Sequence, residues 1–500
     1  MSNGPLSTIS DVALTTSETS QSLSWRGWLI VLSISVAVCC FNLGEARTLT
    51  EHEIYVAGGA KQMSADRDWM FPKIGDHMWL EKPPLLHWLV VISARLLRGF
   101  SEVSVRLPSV IAGLGLVAVM TALAARWFGK RVAIFTGLLQ TTMVYFITYA
   151  RLAEAEMLLA FIVGVAIWAF VRLHSIGDVA SKPNGRFAML FWILIGVSNW
   201  AKGLGFGPAL ILVPCLVYLL WQRDGAAWRR MISWTGWILG LAIALAWPVI
   251  VSVRLPGARE LWGAEIMEHA VGETGYSQPW WYYLTTAPWR LLPWTLALLI
   301  AGAPSLKRAW HEPDSPDRFI WCWVTVPILM LSSFSGKHHH YIIGCLCALT
   351  PLCAIGLLRC GTKVAVYSVG FVVLGTMFVH FRILPSYDRS RDDRDFLQSV
   401  RTFVPPNIPL AATGGQEIAR HIFYVDPPPI GIWDSKSLAE RFAGVPFCLV
   451  TRRKEETQLK ALGQVQVLSE SRHTRKEQSP LDRFTLFRID PPGTSMAGHP

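Results

Sequence analysis

The sequence predicts an α-helical polytopic membrane protein with a separate α/β domain at its C-terminal end. Three observations carry this reading. Of 500 residues, 52% are hydrophobic and only 16% charged, which is too apolar for an ordinary soluble chain. Eleven apolar runs, each roughly 14 to 22 residues long, recur between residues 25 and 382. After Phe381 the composition turns charged and proline-rich, and no further run of that kind occurs.

Residues 1–24 are rich in Ser and Thr and lack the charged-then-apolar layout of a signal peptide. They are expected to form a disordered cytoplasmic tail, and the first span to stay uncleaved. The spans read as 25–43, 105–126, 132–149, 157–173, 187–200, 204–221, 232–253, 283–303, 319–335, 340–358 and 364–382. Leu85 to Leu97 is short and carries Arg95, with Arg98 just beyond, so it reads as an interfacial helix. Alternate connections hold Arg126-Lys130-Arg131, Lys182-Arg186, Arg223-Arg229-Arg230, Lys307-Arg308-Arg318 and Arg359-Lys363. They are short and basic, which assigns them to the cytoplasm. The other connections, among them a large first loop over 44–104, then face outward.

Residues 384–500 follow the last span and are expected to be a soluble extracytoplasmic α/β domain. Ile408 to Ala412, Phe447 to Thr451 and Phe484 to Ile489 read as strands, and Gln416 to His421, Ser437 to Phe442 and Glu455 to Leu462 as helices. Gly414-Gly415 reads as a strand-to-helix turn. With no nucleophile elbow or phosphate-cradling loop, the domain reads as a cap or acceptor-guiding module. The net charge of +11 sits mostly in cytoplasmic loops and in this domain, without an aromatic-interleaved basic motif, so no nucleic-acid partner is expected. Eight of the nine cysteines lie in or beside spans, which leaves Cys448 alone in the soluble part and excludes a disulfide framework there.

Ionisable residues near lipid are costly, so charged clusters between spans are functional candidates. Glu51, His52 and Glu53 begin a helical stretch running to Met63. A carboxylate beside an imidazole suits a general base, and, taken alone, suits capping of the helix dipole better. Glu81-Lys82-Pro83-Pro84 follows; its lysine suits a phosphate or snorkels from the lipid boundary. Arg151, Glu154 and Glu156 stand at the mouth of the fourth span. An Arg151–Glu154 helix pair accounts for two of them, while Glu156, the deepest, has no partner at local spacing.

Lys202, within Asn199 to Gly203, interrupts a long apolar run, and Gly336-Lys337-His338-His339-His340-Tyr341 interrupts another. Adjacent histidines point in different directions, so one metal site using all three is not expected. Glu265, Glu268 and His269 precede the aromatic run Trp280-Trp281-Tyr282-Tyr283, and Glu268-His269 is either a metal-ligand pair or a surface pair. Five external connections carry carboxylate, lysine or histidine, whereas the cytoplasmic ones carry almost only Lys and Arg. A transporter buries its charges at midplane in broken helices. Clusters at span ends suit an interfacial enzyme.

In this order the motifs resemble the integral-membrane C-type glycosyltransferases, the branch holding the lipid A aminoarabinose transferases. They resemble the protein O-mannosyltransferases more distantly. The similarity covers about residues 25–383; the C-terminal domain matches only in placement. It rests on the acidic pair leading to Met63, on Asp68-Trp69 and Glu81-Lys82-Pro83-Pro84, and on Val105-Arg106-Leu107-Pro108-Ser109. Further along it rests on Arg151 through Glu156-Met157, Lys202-Gly203, Glu268-His269, Pro279 to Tyr283 with Leu292-Pro293-Trp294, and Gly336-Lys337 with Tyr341. Two positions depart from the pattern. His52 stands where the family has Asp, with Glu53 keeping the adjacent carboxylate, and Glu156 replaces a second Asp.

The resemblance implies a GT-C fold in a multi-pass plasma (inner) membrane protein, with its active site facing out of the cytoplasm. It implies transfer of a hexosyl or pentosyl group from a polyprenyl-phosphate-linked sugar to a lipid (lipid A-like), glycan or protein acceptor. Lys82, with Lys202, Lys337, Arg151 and Tyr341, would hold the donor phosphate. Glu53, Glu156 and His52 would carry acid–base or sugar-binding roles. A divalent metal, zinc, is implied between Glu81 and His269. The competing classes are a protein O-mannosyltransferase-like enzyme, a polytopic transporter or flippase, and an inactive membrane anchor.

Overall fold

A Ser24 side chain that accepts a hydrogen bond from the Gly27 amide starts the first helix, and the chain thereafter is dominated by helices. The computed structural model describes residues 23–177, 184–203, 205–258, 260, 262–263, 277–388, 391–472 and 479–492. Among these, the first ten helices are α1 Trp25–Cys40, α2 Glu51–Asp66, α3 Leu85–Leu96, α4 Glu102–Thr142, α5 Val144–Ala150, α6 Ala155–His174, α7 Arg186–Lys202, α8 Phe206–Gln222, α9 Gly225–Arg230 and α10 Trp234–Arg254. Most of the expected N-terminal tail, residues 1–22, lies outside the described residues.

Among the described residues, four helices are both long and apolar enough to cross a bilayer: α4, α6, α10 and Thr362–Tyr387. The 41 residues of α4 are two helices joined at Gly129, whose φ of 83° and ψ of 173° no helix contains. Two expected spans are interrupted. Met143 is extended (ψ 139°) and separates α4 from α5, and the Val144 amide donates instead to the Leu292 carbonyl at 2.9 Å. The run 283–303 divides into Tyr282–Arg290 and Thr295–His311, with Pro293, which has no amide proton, in the break. α3 has only 12 residues, too few to span.

The first loop holds a short antiparallel hairpin of β1 Lys73–Ile74 and β2 His77–Met78. Residues 410–490 hold a five-stranded sheet made of β3 Leu410–Ala412, β4 Ile430–Gly431, β5 Phe447–Arg452, β6 Gln464–Glu470 and β7 Phe484–Asp490 in the order β4-β3-β5-β7-β6. β3 pairs in parallel with β4 and β5; the pairs β5–β7 and β6–β7 are antiparallel. One face of the sheet joins the main core through Leu410, Cys448, Val450 and Leu486, while Ala411, Leu449 and Phe487 build a small core on the other. The sheet region is tied to the first loop. A Cβ on Gly58 of α2 would come within 2.7 Å of the Ala419 carbonyl, so only glycine permits this approach to the helix Ile418–Tyr424. Lys61 donates to the carbonyls of Phe423 (3.0 Å) and Val425 (3.3 Å), and Asp76 accepts from the Trp433 amide at 2.8 Å.

Candidate functional site

The first loop contributes α2, whose entry is a capping box. Thr50 Oγ1 accepts from the Glu53 amide at 3.3 Å, and Glu53 Oε2 accepts from the Thr50 amide at 3.0 Å. The same carboxylate takes both nitrogens of the Arg106 fork, Nε at 2.8 Å and Nη2 at 3.1 Å, and the Ala153 amide at 3.0 Å. Glu53 is fully buried. Burial alone would raise its carboxyl; the Arg106 guanidinium and two amides overrule that and hold it below the ordinary glutamate range. Glu53 thus joins α2, α4 and the 151–154 turn. His52, one residue earlier, is exposed.

Arg151 is turned away from the acidic residues that follow it. It donates to the carbonyls of Val38 (2.9 Å), Cys39 (2.8 Å), Phe41 (2.8 Å) and Asn42 (3.4 Å), satisfying the open end of α1. The expected Arg151–Glu154 pair does not form, because the carbonyls at the C-terminal end of α1 are the stronger acceptor set for Arg151.

Glu156, in the first turn of α6, finds its partner 46 residues away. Lys202 Nζ lies 2.7 Å from Glu156 Oε1, and His340 Nε2 lies 3.6 Å from the same oxygen. Lys202 is the last residue of α7, which ends at Gly203 (φ 89°). Its ammonium also sits over the rings of Tyr341 (4.6 Å) and Phe206 (5.1 Å). The second oxygen of Glu156 is buried and has no hydrogen-bond partner among the described residues.

Glu154 holds the N-cap position of α6 without capping it, and makes no hydrogen bond or ion pair among the described residues. Burial, then the neighbouring Glu156, push its carboxyl up to about 8 against the opposing pull of Lys82. Lys82 is half-buried and acts electrostatically on Glu154, Glu156, Lys202 and His87. Pro83 faces Asn199 and Trp200 across a small gap, which brings the Glu81-Lys82-Pro83-Pro84 turn against the end of α7.

The three histidines do diverge: His339 Nε2 meets the Tyr149 hydroxyl at 2.9 Å, His340 faces Glu156, and the rings of His338 and His340 stack at 5.2 Å. Lys337 is buried and donates to the carbonyls of Gln278 (2.8 Å) and Phe334, so it fastens this turn to the segment at 278. Glu81 is exposed. Glu265, Glu268 and His269 lie outside the described residues. Among the described residues, no group of three or more His, Cys, Asp or Glu is arranged to hold a metal.

The structure therefore gathers Lys82, Glu154, Glu156, Lys202, His340 and Tyr341. It draws Glu53, Arg151 and Lys337 into structural contacts, and leaves His52 on the surface. From the sequence alone, Glu154 reads only as a helix partner and His340 only as part of a histidine run. The signal for both was proximity to Glu156 and to the lysines, which spacing does not reveal.

A family profile described as dolichyl-phosphate-mannose-protein mannosyltransferase matches residues 81–251. Among curated proteins, an undecaprenyl phosphate-alpha-4-amino-4-deoxy-L-arabinose arabinosyl transferase of Shewanella sediminis is 25% identical over 336 residues, covering 66% of this chain and 59% of that protein. One from Pseudomonas savastanoi pv. phaseolicola is 28% identical over 351 residues, covering 67% and 62%. The chain thus spans about three fifths of the length of the curated relatives it matches. ArnT from Cupriavidus metallidurans bound to undecaprenyl phosphate superposes with a TM-score of 0.77 at 19% identity, over 93% of this chain and 98% of that one. The Archaeoglobus fulgidus oligosaccharyltransferase gives 0.52 at 13% identity, over 87% and 71%. The chain carries the C-type glycosyltransferase fold and is a sequence relative of the undecaprenyl phosphate-aminoarabinose transferases, as the order of its motifs implied.

Proposed function

We propose that this protein is a membrane glycosyltransferase that moves a sugar from an undecaprenyl-phosphate-linked donor to a lipid acceptor at the outer membrane boundary. The observation that carries the reading is the convergence of two lysines, two carboxylates and an imidazole where α6 and α7 meet the Glu81-Lys82-Pro83-Pro84 turn. Displacement at the anomeric carbon expels a lipid phosphate, and that departing anion needs a fixed positive charge. Lys82 supplies it, because the ammonium of Lys202 is already paired with Glu156. The unpartnered Glu156 oxygen suits a sugar hydroxyl. An acceptor hydroxyl would give its proton to Glu154, whereas an acceptor phosphate requires no base. The names of the curated relatives support an amino-pentose as the sugar.

Eleven crossings, with 44–104 and 384–500 outside the cytoplasm, belong to the same proposal. Cysteine placed in either segment should react with an impermeant reagent on intact spheroplasts, and cysteine placed at 222–231 should not. Labelling of the C-terminal segment only after lysis would reverse the orientation. A divalent cation held by Glu81 and His269 is a further part of it; chelation should lower turnover and added zinc restore it. Purified protein incubated with an undecaprenyl-phosphate-linked amino sugar and a lipid acceptor should release free undecaprenyl phosphate. No release across candidate donors, with the protein folded, would remove the transferase reading.

A further inference from the structure

Away from Lys82 and Glu156, a cleft of about 330 Å³ opens where the first loop meets the C-terminal sheet region. Its wall includes Arg47, Thr48, Glu51, Asp388 and Arg420. The volume lies within the range of small-molecule pockets. The lining is polar, and its charges are unequally satisfied. Asp388 accepts from both the amide (2.6 Å) and the hydroxyl (2.9 Å) of Thr48. Glu51 stands exposed in the first turn of α2, where the helix dipole favours an anion.

The two guanidiniums have no such partners. Neither Arg47 nor Arg420 forms a side-chain hydrogen bond or ion pair among the described residues, and Nη1 of Arg420 is sealed from solvent without an acceptor. Of the other acids around Arg420, Glu417 holds Arg452 at 2.9 Å, and Asp393 acts on Arg420 electrostatically without bonding to it. A desolvated guanidinium N–H without an acceptor is costly, and an anion with several oxygens satisfies two such forks at once.

The cleft is also linked to the candidate active site through a chain of hydrogen bonds. Arg106, beneath it, donates to the carbonyls of Arg47 (3.0 Å) and Thr48 (3.1 Å) and grips Glu53, which accepts from the Ala153 amide immediately before Glu154. We propose that this cleft is a second ligand site that holds a phosphate-monoester headgroup between Arg47 and Arg420. Its occupant's identity as the acceptor rests on the transferase reading; the anion site does not.

The test measures binding without donor. Protein in phosphatidylcholine nanodiscs is titrated with dihexanoyl phosphatidic acid, with dihexanoylglycerol and with inorganic phosphate. The phosphatidic acid should bind, and Arg47→Gln or Arg420→Gln should each weaken it about tenfold or more. Arg420→Lys, which keeps the charge, should recover part of the loss, and unchanged melting of all variants excludes misfolding as the cause. Inorganic phosphate binding as tightly, with the same sensitivity to both variants, would support a site for the phosphate group itself. Dihexanoylglycerol binding equally well, or both glutamine variants binding like the parent, would overturn the proposal. Release of undecaprenyl phosphate by the parent protein is scored separately, so failure of the transferase reading leaves this result distinguishable.

Discussion

Lys202 Nζ and Glu156 Oε1 are 2.7 Å apart, joining the end of α7 to the start of α6 with both side chains nearly sealed from solvent (11% and 3% exposed). Removing one member of a buried pair strands the other, at a cost of about 3–5 kcal/mol. Lys202→Met should therefore lower thermal stability in detergent by roughly that amount. Lys202→Met combined with Glu156→Gln should regain much of it, while leaving turnover absent. Normal turnover in Glu156→Gln would detach this carboxylate from the chemistry.

Glu53 and Arg106 lead to a different expectation. Because the Glu53 carboxylate is occupied by four N–H donors, Glu53→Gln and Arg106→Leu should reduce expression and melting temperature before they alter the reaction. The expected loss is again about 3–5 kcal/mol. His52→Ala, at an exposed position, should change stability by less than about 0.5 kcal/mol. A well-folded Glu53→Gln variant devoid of turnover would return Glu53 to a chemical role.

How far the sequence was readable follows from which interactions are local. Thr50-x-x-Glu53 is a capping signature within four residues, and the cap was there to be read beside the catalytic alternative. β3, β5 and β7 are built on local clusters of apolar residues and are legible for the same reason. β6, Gln464–Glu470, alternates polar with apolar residues on an edge strand, and β4 has only two residues, so neither stood out from loop. The pairings Glu156–Lys202 and Glu53–Arg106 reach across 46 and 53 residues, and no periodicity encodes such contacts. The expected pairing of Arg151 with Glu154 fails because its acceptors, the carbonyls at the end of α1, lie more than 100 residues upstream.

Lys82 provides the test of leaving-group stabilisation. Its charge reaches both carboxylates and Lys202, yet it forms no hydrogen bond or ion pair among the described residues. Lys82→Ala should leave melting temperature and membrane insertion unchanged and reduce the release of undecaprenyl phosphate by about a hundredfold to a thousandfold. Wild-type release in that variant would transfer the role to another cation.

Glu154 yields a pH dependence whose sign is fixed by its surroundings. Its folded-state carboxyl sits at about 8 against an ordinary 4.5, so between these values the folded protein holds a proton that the unfolded chain has lost. Stability must then fall as pH rises through that window and level off above about 8, because the unfolded state binds fewer protons there. Glu154→Gln, neutral at every pH, should flatten this slope in melting experiments between pH 5 and about 9. The same residue separates the acceptor classes. With an acceptor hydroxyl, transfer needs the ionised Glu154, so the rate should climb with an inflection near 8 that the Gln variant lacks. With an acceptor phosphate, already ionised, the profile should be flat near pH 8 and Glu154→Gln should turn over nearly as well as the parent. An unchanged melting slope in Glu154→Gln would mean that Glu154 is ionised throughout, and the proton-accepting role would pass from it.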